Sequence, residues 1–186
     1  MSPSLPVRPC TREDLPEVRA IYALEVREGT ASFELEPPSL AEMSARFAAI
    51  ERAGLPYLVV ELEERIAGYA YAGPYRARPA YRHTVEDSVY VARFARRQGV
   101  GRALLDAVIE HATARGMRQM VAIIGDSAHL ASIELHRRAG FRLVGTLESV
   151  GWKFGRWLDT VIMQRSLGAG ADAPAPDALL PGVMKT

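Results

Sequence analysis

The stretch Val89-Tyr90-Val91-Ala92-Arg93-Phe94-Ala95-Arg96-Arg97-Gln98-Gly99-Val100-Gly101-Arg102-Ala103-Leu104-Leu105 decides how the chain is read. It opens on β-branched and aromatic residues that suit a strand. It then passes through a basic turn with two glycines and runs into Val100, Leu104, Leu105, Val108, Ile109 and Ala112, which repeat at helical spacing. Strand, glycine turn and helix together make an anion site: free N–H groups and the positive helix end converge there, and glycine lets an anion approach the backbone. Arg96, Arg97 and Arg102 add charge. Two glycines alone fit a solvated arginine-rich turn equally well. A Walker loop is excluded, because no Lys-Ser or Lys-Thr follows Gly101, and a dinucleotide fingerprint would need a third glycine.

Upstream, Thr11 with Asp14 and Ser39 with Glu42 predict two helix starts, followed by Leu15, Val18, Ile21 and Tyr22 on one face and Leu40, Met43, Phe47 and Ile50 on another. The loop 29–38 separates them. Tyr57 to Leu62 and Ile66 to Ala72 read as a hairpin turning at Glu63 to Arg65, and His83 to Val91 as a further strand after a loop carrying Arg76 and Arg78. The central helix is predicted from about Gly99 to Arg115 and closes at Gly116. Met117 to Ile124 reads as a strand buried on both faces, Ala131 to Arg138 as a short helix, and Phe141 to Val150 and Trp157 to Leu167 as two last strands. The order is mixed α/β, with one domain over 1–168. The Gly-, Ala- and Pro-rich residues 169–186 read as a disordered tail, with Leu179 and Leu180 as candidates for weak docking.

Composition narrows the partners. Lys plus Arg number 23 and Asp plus Glu 22, so the net charge of +1 offers no overall field for nucleic acid or an anionic membrane. The single cysteine, Cys10, permits no intrachain disulfide, and no run of about 18 apolar residues appears. A cytoplasmic protein is the expectation. The four histidines show no metal-ligand spacing, so no metal is expected.

Arg96-x-x-Gly99-x-Gly101 resembles the Q/R-x-x-G-x-G/A signature of the GNAT superfamily, where this turn holds the pyrophosphate of acetyl-CoA. From about Val7 to Leu167 the element order is similar too. Thr30-Ala31-Ser32-Phe33, Ala80-Tyr81-Arg82-His83-Thr84-Val85-Glu86, Ser132 to His136 before Gly140-Phe141, and Lys153-Phe154-Gly155-Arg156-Trp157-Leu158-Asp159 resemble the phosphinothricin and methionine-sulfone acetyltransferase group in particular. The resemblance implies an α/β (α+β) GNAT fold: a mixed, mostly antiparallel twisted sheet of about seven strands with four helices, splayed at the acetyl-CoA site. It also implies direct acetyl transfer from acetyl-CoA to the α-amine of a small amino acid or analogue, by a homodimer. Protein N-terminal acetylation and a non-catalytic CoA-sensing module are the alternatives.

On that resemblance the donor site comprises Val89, Tyr90 and Val91 of the strand, Arg96, Arg97, Gln98, Gly99, Val100, Gly101 and Arg102 of the turn, and Arg138. Phe33, Arg78, Tyr81, Glu86 and His129 fall to the acceptor, His129 standing where relatives carry Asn. An amine attacks only when neutral, so a base is needed. Glu86, an acid inside a strand run, is the candidate, against a sheet-edge ion pair with Arg82. His136 is the second candidate, to protonate the departing thiolate, against a structural histidine. His111 reads as a surface residue, and Cys10 lacks a base for a covalent route. Phe154 and Trp157 mark the dimer contact, unless they fill the subunit's own core or pocket.

Overall fold

The computed structural model describes residues 5–176. A sheet of seven strands carries the fold: β1 (Val7–Pro9), β2 (Tyr57–Leu62), β3 (Arg65–Pro74), β4 (Thr84–Val91), β5 (Gln119–Gly125), β6 (Arg142–Lys153) and β7 (Arg156–Ser166), in the order β1-β2-β3-β4-β5-β7-β6. Four α-helices cover it: α1 (Leu15–Glu28), α2 (Leu40–Arg52), α3 (Val100–Ala114) and α4 (Leu130–Arg138). The central helix forms for the reason its sequence gives. Val100, Leu104, Leu105, Val108, Ile109 and Ala112 are all buried as one stripe, and a fully buried Leu or Val contributes about 1.5–3 kcal/mol. At the start of α2 the Ser39 Oγ accepts from the Glu42 N–H at 3.1 Å, satisfying an amide the helix itself leaves free.

The two faces of the sheet are told apart at β3. A Cβ on Gly68 would meet Val100 and Leu104 of α3. The next residue, Tyr69, stacks on Tyr90, whose ring meets Tyr22 of α1 edge-on at 5.1 Å. Hence α3 lies on one face and α1 on the other, with α2 packed beside α1.

Every neighbouring pair of strands is antiparallel except β4 and β5, which run parallel. Parallel neighbours need a long crossover, and α3 supplies it. Their register holds only from Thr84↔Gln119 to Asp87↔Ala122. Beyond it β4 continues with β3 to Val91↔Gly68, whereas β5 follows β7 to Gly125↔Thr160. The two strands part, leaving a wedge between 88–91 and 123–125.

The wedge corrects the reading of β5 as buried on both faces: Ile123 is 37% exposed, because the neighbour that would cover it has diverged. The edge strand β1 was also unread, since three residues pairing at one border carry no period of their own. Phe154 and Trp157, at 55% and 60% exposure, do not fill the subunit's own core. Phe154 and Gly155 make the β6–β7 turn at φ 51° and 71°, the left-handed pair that a tight hairpin needs. In the segment read as a tail, residues 169–176 run back over the end of α3, where the Pro174 carbonyl accepts from Arg118 at 2.9 Å. Leu179 and Leu180 lie outside the described residues. Among the described residues no helix is long and apolar enough to cross a membrane.

Candidate active site

Alternation along β4 sends its side chains to opposite faces. Glu86, Ser88 and Tyr90 point toward α1, while Asp87 and Val91 point toward α3 and α4. On the α4 side, Asp87 Oδ2 lies 2.9 Å from His136 Nε2, with side-chain exposures of 1% and 5%. His136 Nδ1 donates to the Ser132 carbonyl at 2.7 Å, and Phe141 meets the ring edge-on. Burial works against a charged ring there, yet the bond to Asp87, its negative charge and the Ser132 carbonyl together hold the imidazole pKa above its ordinary value. Asp87 Oδ1 is buried and has no partner among the described residues. Asp87, Ser88, Val89, Tyr90, Ala122, Ile123, Ile124, Gly125, His129, Ser132 and His136 line the wedge, and burial holds the His129 pKa below its ordinary value.

On the α1 side, Glu86 is half-buried. Desolvation, helped by the Asp87 charge and opposed by Arg76, raises its pKa above the usual carboxylate value. Ser88 is paired across the strands with Tyr71, and Tyr22 OH lies 2.9 Å from Ser32 Oγ in the loop 29–38. That loop is pinned from the far end of the sheet: Lys153 Nζ donates to the carbonyls of Gly29 at 2.9 Å and Ser32 at 2.6 Å. Phe33 lies over Gly151, where a Cβ would stand 2.4 Å from its ring, so only glycine admits the loop at this depth. Arg78 and Tyr81 are exposed on the loop before β4, with Tyr81 meeting Tyr75 edge-on at 5.7 Å. They stand apart from Phe33, which packs at the β5–β6 end. Among the described residues Arg82 makes no ion pair with Glu86, and its side chain bonds the Pro79 carbonyl alone.

The basic turn sits between the end of β4 and α3. Gly99 adopts φ +85° as the residue capping α3, a conformation that suits glycine, and Arg97 is also left-handed at φ 62°. Val100 is buried in the core. Gly101 faces Val91 and Leu135, so β4, α3 and α4 converge at this point. Arg96 is paired with Glu25 of α1, and Gln98 donates to the Phe94 carbonyl at 2.8 Å. Arg102 binds Asp106 and the Arg138 carbonyl, and the Arg138 side chain is held by Glu134.

The sequence model of the acetyltransferase (GNAT) domain matches residues 7–162. The chain belongs to the GNAT acetyltransferase family. Within it, the chain is 54% identical to a phosphinothricin N-acetyltransferase from Alcaligenes faecalis, over 92% of this chain and 86% of that one. It is 44% identical to an L-methionine sulfoximine/L-methionine sulfone acetyltransferase from Pseudomonas paraeruginosa, over 92% and 99%. A GNAT superfamily phosphinothricin acetyltransferase from Sinorhizobium meliloti, solved in complex with AcCoA, superposes with a TM-score of 0.93 at 44% identity, covering 96% of this chain and 97% of that one.

Cys10 is buried, and desolvation pushes its thiol up to about 12, so it presents no thiolate. His111 is exposed on α3. Among the described residues no group of His, Cys, Asp and Glu could hold a metal ion. Asp87 and Lys153 carried no role in the sequence reading. The one available signal for Asp87 was a second acid directly after Glu86, inside a strand where acids are depleted.

Proposed function

We propose that the protein is an acetyl-CoA-dependent N-acetyltransferase of small amino acids or their analogues, with phosphinothricin, methionine sulfone and methionine sulfoximine as the acceptor class. One observation carries the reading: the wedge opens beside a strand that offers Glu86 on one face and the Asp87–His136 pair on the other. The donor fits it. Backbone groups of 88–91 and 123–125 are freed on the facing edges by the divergence, and such groups must find partners. Acetyl-CoA supplies a thioester whose carbonyl accepts a nucleophile and whose thiolate departs.

The chain does the rest. The turn from Arg96 to Arg102 receives the donor's phosphates, with the first amides of α3 aimed at them. Glu86, whose raised pKa brings it nearer the working pH, takes the proton that frees the amine. The amine then forms the C–N bond as the C–S bond breaks, and the electron pair of that bond leaves with sulfur. The loop 29–38, held by Lys153, and the Arg78–Tyr81 loop flank the acceptor. Thiol release tests the reading on a panel of phosphinothricin, methionine sulfone, methionine sulfoximine and a short peptide, with acetyl-CoA. The expected result is release with the amino-acid analogues and none with the peptide. Release with the peptide alone would make the protein an N-terminal acetyltransferase, and binding without any release a CoA sensor.

The homodimer rests on a separate surface. The β6–β7 hairpin exposes Leu143, Val144, Leu147, Val150 and Trp152 on β6, the outermost strand of the sheet, with Phe154 in the turn and Trp157 at the start of β7, each 49% exposed or more. An apolar, unpaired edge invites a second chain, and Trp is favoured at interface centres. Light scattering should give twice the 20.4 kDa subunit mass at micromolar concentration, and Trp157→Ala should shift the protein toward monomer. A wild-type monomer under those conditions would refute the dimer.

A further inference from the structure

We propose that Asp87 is a positioning residue for His136: its carboxylate fixes the imidazole beneath the wedge as a two-donor cation, which stabilises negative charge instead of giving up a proton. The argument begins with hydrogens. A backbone carbonyl carries none, so the Ser132 carbonyl at 2.7 Å places a hydrogen on Nδ1. The 2.9 Å contact of Nε2 with Asp87 Oδ2 needs a second hydrogen between them. Both side chains are almost wholly out of water, where an unpaired carboxylate is costly. Asp87 Oδ1 has no donor among the described residues, so the ring is the only group offered to the carboxylate's charge.

The surroundings favour the cation on the ring. His136 lies in the last turn of α4, the end where a positive charge is favoured. The titratable groups facing it are Asp87 from β4 and His129 from the start of α4, and burial disfavours the charged form of His129, which limits competition from a second cation. β5 contributes Ala122, Ile123, Ile124 and Gly125 to the wedge, none of them charged, and Glu86 leaves β4 on the opposite face. Arg137 and Arg138, on the same helix, are exposed and engaged by Glu134.

This placement changes the role that His136 has in the reaction. With Nε2–H committed to Asp87, the ring keeps its proton throughout. It stabilises the charge that gathers on the thioester oxygen and the leaving sulfur, and preorganised charge in a dry site is effective at that task. The proton that finally resides on sulfur is then the second one lost by the acceptor nitrogen, and the step balances without a donor from the protein. The proposal rests on the acetyl-transfer reading for its catalytic consequence alone; the charge state of the ring does not.

The test therefore starts without acetyl-CoA. Long-range nitrogen–proton NMR of histidine-labelled protein, with the His136 signals assigned by their loss in His136→Phe, should show both ring nitrogens protonated at neutral pH, where a free imidazole has mostly lost its second proton. In the near-isosteric Asp87→Asn the side-chain amide can donate to Nε2 and burial acts unopposed by the carboxylate's charge, so the ring should be neutral at neutral pH, with its hydrogen on Nδ1. Turnover should fall roughly 10²-fold at unchanged acetyl-CoA affinity. A neutral wild-type ring at pH 7 would overturn the proposal, and this measurement stands even if Asp87→Asn does not fold. Unaltered His136 titration in the variant, or full turnover with a neutralised ring, would overturn it equally. Absence of thiol release from every acceptor, with the ring cationic, would instead count against the acetyl-transfer reading.

Discussion

Glu86→Gln lowers turnover at neutral pH by roughly 10²-fold or more and leaves acetyl-CoA binding unchanged, the scale on which a lost general base is felt. The substitution keeps the shape of the side chain and removes its ability to take a proton. Binding should survive because Glu86 leaves β4 toward α1, whereas Gly101 and His136 lie on the α3 and α4 side. The pH dependence has a definite sign. Burial and the Asp87 charge raise the Glu86 pKa, and a base works only when deprotonated. Wild-type turnover therefore fades as pH falls through that raised value, and the acid limb governed by Glu86 should vanish in Glu86→Gln. Thiol-release rates across the pH range check both statements. Equal rates for the two proteins at pH 7 would assign the proton to water or to another group.

Gly101→Val abolishes the thermal protection that acetyl-CoA gives the wild type. At a ligand concentration of about 100 Kd, protection amounts to about 2.7 kcal/mol, or roughly 5–10 °C for a chain of this length. The structural reason is crowding. A Cβ at 101 would already stand 3.4 Å from both Leu135 and Val91, so one methyl fits and the further branches of valine do not. They push the first turn of α3 off β4 and α4, and the amides of that turn lose their aim. Gly101→Ala should accordingly keep most of the protection, a contrast that a thermal melt with and without ligand reads directly. Full protection in Gly101→Val would remove this turn from the donor site.

Those two positions show what a sequence discloses and what it withholds. Gly101 and the stripe of α3 are local patterns, and the Ser39–Glu42 cap that starts α2 is visible in residues three apart. Glu86 stood out as an acid in a strand. Asp87 did not, because its significance lies in a ring 49 residues downstream. Lys153 is likewise inconspicuous in a charged segment until the chain brings it against the carbonyls of Gly29 and Ser32. Exposure is also non-local: the apolar run of β5 gives no hint that β4 will leave Ile123 uncovered. The glycine turn was ambiguous on its own and became informative through the strand and helix on either side of it.

The opposed faces of β4 have a consequence for descent. If the wedge holds its ligand through main-chain groups, substitution along β4 and β5 leaves that grip largely intact, since every residue type except proline brings the same amide and carbonyl. On the proposed function the far face would meet the acceptor through side chains, each of which a single codon can exchange. A lineage carrying this scaffold can then drift from one acceptor to another while inheriting the donor unchanged. Divergence of preference among relatives should accordingly concentrate at residues 29–38, at 75–83 and at the even-numbered positions of β4 other than the base Glu86.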